Sequence, residues 1–201
     1  ETPRRVIAAN KNSKLIVQDG TVITGGVYES CSGVFITGGS SFEMTGGEIA
    51  GNRIIGANAN DGDWQYTADL WIPSDGTGII SGGHVGNAYS NANEYTPQGG
   101  TARLTITGTG SVDNVFAEAY KNNVTTVVSS EGGTIGKLFI AMDYDEDTNT
   151  DTRLIVSVEG SELTGTVNVT PLRIPDGVTA TVVNRGEVST VANNITIGTD
   201  A

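Results

Sequence analysis

The sequence predicts an all-β chain whose short strands wind into stacked coils, a parallel β-helix. Three observations predict it. Alternating runs of Val, Ile and Thr recur along the whole chain, comparable positions return at separations of 23, 28 and 25 residues, and a Gly-Gly phrase closes run after run.

The strands come first. Lys14–Val17, Arg103–Thr107, Arg153–Val158 and Thr179–Val183 alternate with period two and end in Gly, Asp or Asn. β-branched residues suit a pleated, half-buried surface, and the closing residues are turn formers. Val115–Tyr120 (VFAEAY) is the best helical stretch, but it is short, uncapped and flanked by turn formers. No helix is expected.

The repeat comes next. Sets beginning at Lys14, Val34, Asp69, Arg103, Thr126, Arg153 and Thr181 each read as an apolar strand, a Gly-centred turn, a second strand and a third short apolar piece. The second strands place Val112, Ile135, Leu163 and Val188 in one register. One such unit cannot bury its own apolar face, so units stack and insertions bulge out as loops. The reading is a single domain over 1–201 of about seven to nine coils. Residues 1–12, with Val6-Ile7-Ala8-Ala9, form an amino-terminal cap, and 53–100 are loop insertions around one coil. The alternative is an antiparallel β-sandwich, which the Asp-Gly pairs at Asp19-Gly20, Asp61-Gly62, Asp75-Gly76 and Asp176-Gly177 would serve as hairpin turns.

The phrase apolar–Thr/Ser–Gly–Gly occurs as Ile23-Thr24-Gly25-Gly26, Ile36-Thr37-Gly38-Gly39, Met44-Thr45-Gly46-Gly47 and Ile80-Ser81-Gly82-Gly83. It is read as corner chemistry. Glycine adopts positive φ at little cost where the chain turns, and the neighbouring hydroxyl caps the corner.

Composition narrows the partners. The chain has 28 glycines without a collagen triplet, 5 prolines and only 17% charged residues, so its surface is largely Thr, Ser, Asn and Gly. Its net charge of −12 opposes nucleic acid and anionic lipid, leaving cations or neutral glycans as the easier partners. No apolar run reaches the ~18 residues of a membrane span, so no membrane insertion is expected. Cys31 is the single cysteine, which excludes an internal disulfide and reads as a small buried apolar group. The chain starts at Glu1 rather than Met, so flanking domains of a longer protein are expected.

The phrases "ITGGVYES", "FEMTGGEIAGN" and "ISGGHVGNAYSNAN" resemble the degenerate repeats of bacterial surface and secreted proteins that carry right-handed parallel β-helix, pectate-lyase-like domains. The resemblance covers Lys14–Tyr120 well and the rest in outline. It implies a right-handed, single-stranded β-helix at the cell surface or outside the cell, in an adhesin or a module of a larger protein. It carries over no active site.

Two places bring chemistry. The region 53–100 holds Trp64, Tyr66, Trp71, Tyr89 and Tyr95 among Asp, Asn and Gln. Exposed rings take the apolar face of a sugar while amides bond its hydroxyls, so these residues are the glycan-binding candidates. The competing reading folds the same rings onto the solenoid as a plug. In "MDYDEDTNTDT", Asp143, Asp145, Asp147, Asn149 and Asp151 alternate as oxygen ligands for calcium would. Thr148 stands where an EF-hand loop has glycine and Leu154 where it has glutamate, so a solvated acidic loop is the competing reading.

Catalysis is weakly supported. Lys14, Arg103 and Arg153 precede the first-strand Leu in three sets and would form a basic stripe, with Asp69 the one carboxylate at that position. The only histidine, His84, sits in a Gly-Gly-His corner with no nucleophile motif beside it. No catalytic residue is assigned. The expected function is a non-catalytic surface module, adhesin-like or a stalk, that binds glycan or a host or cell-surface protein. The alternatives are a β-helix polysaccharide lyase or glycoside hydrolase, and a purely structural spacer.

Overall fold

A computed structural model describes residues 5–56, 59, 68–92, 100–119, 124–143, 153–159, 165–169 and 195–197. It is an all-β solenoid of about four turns built from parallel stacked strands. In chain order the strands are β1 (Ile7–Ala9), β2 (Lys14–Val17), β3 (Val22–Ile23), β4 (Val27–Tyr28), β5 (Val34–Ile36), β6 (Ser41–Ile49), β7 (Arg53–Ile54) and β8 (Leu70–Pro73). They continue as β9 (Thr77–Ala92), β10 (Gly100–Thr107), β11 (Ser111–Ala119), β12 (Val124–Glu131), β13 (Thr134–Asp143), β14 (Arg153–Glu159), β15 (Gly165–Val169) and β16 (Ile195–Ile197).

The registers sort these strands into three faces, except β4 and β7, which pair as a separate two-stranded parallel sheet. On the first face Leu15, Phe42, Gly78, Leu104 and Val128 lie opposite one another, rung above rung. On the second the column is Ile23, Ile49, Val85, Val112 and Ile135. On the third it is Ile7, Val34, Leu70, Ala88, Val115 and Leu138. Most of these side chains join one continuous core. A fully buried Leu or Ile contributes about 1.5–3 kcal/mol, against about 0.5–1.5 kcal/mol for a hydrogen bond between coils. The apolar columns hold the stack.

The first column holds one glycine among large side chains. Gly78 sits between Phe42 and Leu104, and a Cβ there would lie 2.9 Å from Ile72 Cδ1 and 3.2 Å from Leu104 Cδ1. The missing side chain makes room for its large neighbours.

The Gly-Gly phrase turns more than one kind of corner. Gly47 and Gly83, with φ of 91° and 83°, lead from the first face to the second in successive coils; Gly39, at 75°, leads from the third to the first. Close approach is a second reason for glycine: a Cβ on Gly83 would lie 2.5 Å from Gly47 O. The hydroxyls of Thr45 and Ser81 reach the adjacent coil rather than cap their own corner. Ser81 Oγ donates to Met44 O at 3.2 Å and Thr45 Oγ1 to Val17 O at 3.5 Å.

Four expectations are corrected. The antiparallel sandwich is overturned, because every pairing from β1 to β13 recorded as a strand ladder is parallel. Asp19-Gly20 and Asp75-Gly76 turn corners between faces instead of closing hairpins, and Asp61-Gly62 and Asp176-Gly177 lie outside the described residues. The count of seven to nine coils is too high. From Arg153 the chain reverses, with β14 antiparallel on β13, β15 antiparallel on β12 and β16 antiparallel on β15. Alternation is the same in either direction, so periodicity could not show the reversal. The repeat sets also began on different faces: those at Val34 and Asp69 start one face earlier than those at Lys14, Arg103 and Thr126.

The Val112–Ile135 register is as expected, while Leu163 and Val188 lie outside the described residues. Ile7–Ala9, expected within a cap, pair with β5 as the lowest rung of the third face.

Candidate functional site

Five successive rungs of the third face, from β5 to β13, carry an aromatic ring at an outward position, where the first rung has Ala8. Phe35, Trp71, Tyr89, Phe116 and Phe139 stand in register, alternating with the inward core residues. Their centroids lie 5.4, 5.1, 5.4 and 6.2 Å apart in that order. Trp71 meets both of its neighbours edge to face, at 85° and 83°. Each such pair contributes about 0.5–1.5 kcal/mol beyond burial. Cations close the ladder at either end: the Arg5 guanidinium lies 4.4 Å from the Phe35 ring centre and Lys137 Nζ 5.0 Å from that of Phe139.

The ladder decides where two of the glycan candidates sit. Trp71 is half-buried and Tyr89 only 8% exposed, both within the coil stack rather than on an insertion. Trp64, Tyr66 and Tyr95 lie outside the described residues.

Beside the ladder is a polar cluster that sequence reasoning missed. Asn91 lies opposite Glu118, and both are buried at 5% and 3% exposure. The Tyr89 hydroxyl donates to Glu118 Oε2, and Asn91 Nδ2 donates to the same oxygen and to Tyr89 Oη, each at 2.6 Å. Thr126 Oγ1 donates to Glu118 O at 2.5 Å. The signal was present: Tyr89/Asn91 and Phe116/Glu118 are the same aromatic-plus-two-polar pattern in stacked coils. A carboxylate held by a phenol and an amide is a fixed cluster. It is not the pair of facing carboxyls that glycoside hydrolysis uses.

A second buried carboxylate stands at the start of β8. Asp69 Oδ1 accepts from Asn52 N at 3.1 Å and Asn52 Nδ2 at 2.8 Å, while Oδ2 accepts from Asn87 N at 2.9 Å. Asn114 Nδ2 extends the series to Asn87 Oδ1 at 3.0 Å. Burial raises the Asp69 pKa above its ordinary value, opposed by the bonds from Asn52 and Asn87. A cavity of about 250 Å³ lies alongside, lined in part by Asn52, Arg53 and Asn87.

The basic stripe is half present. Lys14, Ser41, Thr77 and Arg103 form one column on the first face, so Lys14 and Arg103 do share a position. Lys14 pairs with Glu43 at 2.6 Å. Asp69 belongs to the third face instead, and Arg153 lies opposite Asp143 in the antiparallel pair.

Of the calcium candidates, Asp143 ends β13, and Asp145, Asp147, Asn149 and Asp151 lie outside the described residues. Among the described residues no three His, Cys, Asp or Glu side chains gather as a metal site. His84 bridges carboxylates on neighbouring coils, with Nε2 3.1 Å from Asp113 and Nδ1 3.9 Å from Glu48. Cys31 is fully buried, its Sγ donates to Val34 O at 3.1 Å, and burial pushes the thiol pKa far up. That thiol is a packing group, with no thiolate to react.

No family model, no curated protein and no solved structure matches this chain.

Proposed function

We propose that this chain is a rigid, non-catalytic module of a bacterial cell-surface or secreted protein, a stalk or adhesin segment. The observation that carries the reading is the five-ring ladder of Phe35, Trp71, Tyr89, Phe116 and Phe139, fixed in register over a continuous core. A coil stack braced on one outer face resists bending and twisting, which suits a spacer that holds other domains apart. The solenoid is taken to wind right-handed, as nearly all parallel crossovers do. Its small share of charged residues and abundance of Thr, Ser, Asn and Gly suit an extracellular surface.

The adhesive form of this reading assigns glycan contact to Trp64, Tyr66 and Tyr95, because the rings of Trp71 and Tyr89 are already packed against their neighbours. Tryptophan fluorescence tests it. In a Trp71→Phe variant Trp64 is the sole tryptophan, and plant, host and microbial polysaccharides are titrated with and without calcium. A saturable change for one glycan supports an adhesin. A flat response across the panel removes the glycan and leaves the stalk.

A further inference from the structure

We propose that a groove along the corner between the first and second faces binds a short glycan segment free of acidic sugars. The inference rests on the adhesive form of the role above, but assigns the contact to residues other than Trp64, Tyr66 and Tyr95.

Uneven corner length makes the groove. Val17, Met44, Ile80 and Ile106 are aligned rung on rung at the end of the first face. The corners after them hold five residues (18–22), four (45–48), four (81–84) and five (107–111) before the inward column of the second face resumes. An added residue between fixed rungs bulges outward, so Asp19-Gly20-Thr21 and Thr109 stand proud of the two corners between them. Those two carry Gly46-Gly47 and Gly82-Gly83, which bring no side chain to fill the step. The result is a groove of about 450 Å³. Its ends are three rungs, about 14 Å, apart at the usual spacing of stacked strands, a length that suits a short oligosaccharide.

The walls are polar. Thr21, Thr45 and Thr109 bring hydroxyls, and Asp19 and Glu48 bring carboxylates. Among the described residues, the Asp19 carboxylate and the Thr21 and Thr109 hydroxyls make no hydrogen bond within the chain. Thr45 Oγ1 reaches Val17 O only at 3.5 Å, and Glu48 Oε1 lies 3.9 Å from His84 Nδ1. Hydroxyls that donate and accept, beside carboxylates that accept strongly, are the complement of sugar hydroxyls. Val22, 63% exposed, offers an apolar surface to the C–H face of a sugar ring.

Charge narrows the ligand. Among the described residues the lining holds two carboxylates and no Lys or Arg, so a phosphate, sulfate or uronate is repelled while a neutral or amine-bearing sugar is accepted. A peptide fits less well. Peptide recognition uses pockets for alternate side chains, and this groove has a glycine floor with Val22 as its one large apolar side chain.

Isothermal titration calorimetry of the full chain tests this, with cellotriose, xylotriose, maltotriose, a glucosamine trimer, trigalacturonate and an oligolysine peptide as probes. The expected result is saturable heat with a neutral or aminated trimer and none with trigalacturonate. Asp19→Asn and Thr109→Ala alter exposed side chains at the two ends of the groove, and each is expected to weaken binding about tenfold. Should either variant lose its β-sheet circular dichroism, amide chemical-shift changes at Gly20, Gly46, Gly47 and Gly83 of the wild type decide. Shifts there without a fluorescence change from Trp64 in the Trp71→Phe variant uphold the groove and remove the Trp64 assignment. Binding that changes Trp64 fluorescence but leaves those amides unmoved, or is unaltered in both folded variants, overturns the groove alone. Trigalacturonate bound as tightly as the neutral trimers overturns it, as does an oligolysine peptide that binds where no sugar does. No heat with any probe overturns the groove and the adhesive reading together, leaving the stalk.

Discussion

Trp71 and Tyr89 meet edge to face, with ring centroids 5.1 Å apart and planes at 83°, as adjacent rungs of one outward face. This pair ties the coil of β8 to the end of β9, and Tyr89 in turn anchors the Glu118 carboxylate. The ring ladder and the buried polar cluster are therefore one structural unit.

Phe116 tests that unit. It is fully buried although its strand position points away from the core. Phe116→Ala is expected to cost about 3–5 kcal/mol in denaturant unfolding, the range of a core aromatic. Trp71→Phe keeps a ring in place and should cost less than about 1.5 kcal/mol. Equal, small losses from both would show that the ladder is not supporting the fold.

Two glycines separate backbone strain from coil contact. Gly20 and Gly83 both have positive φ, 78° and 83°, but a Cβ on Gly20 meets nothing within 4 Å while one on Gly83 lies 2.5 Å from Gly47 O. Gly20→Ala should cost about 1–2 kcal/mol, the left-handed penalty alone. Gly83→Ala should cost clearly more, because the adjacent coil must shift. Thermal unfolding of the two variants side by side gives the comparison.

Asp69 gives the pH dependence. Its pKa is raised from the ordinary 3.8, so between that value and the raised one the folded protein holds a proton the unfolded chain has released. Its contribution to stability is full below pH 3.8, declines as pH rises through this window and is level above it. Asp69→Asn removes the titration and turns an amide N–H toward the Asn87 N–H, a pH-independent loss of about 1–3 kcal/mol. Wild-type stability measured relative to this variant should therefore fall with rising pH across that window. A rise would show a carboxylate whose pKa is depressed.

Much of the fold was legible because it lives in local pattern. Alternation gave the strands, the Gly-Gly phrase gave the corners, and the Val112–Ile135 and Lys14–Arg103 equivalences hold in the registers. Cys31 is buried as its residue type suggested. What failed depends on direction and on uneven coil length. Arg153–Glu159 reads like any other strand, yet runs antiparallel. The five ladder rings are separated by 36, 18, 27 and 23 residues, so no fixed period could align them. The Asn91–Glu118 contact was hidden for the same reason.

The most direct test of a non-catalytic module is product analysis. The full chain is incubated with the polysaccharide panel, with and without calcium, and the solutions are assayed for new reducing ends and for the absorbance of unsaturated sugars. The expected result is neither, at any enzyme-level protein concentration, whether or not a glycan binds. New ends that appear in proportion to protein and time would contradict the proposed role and make this solenoid a polysaccharide lyase or hydrolase.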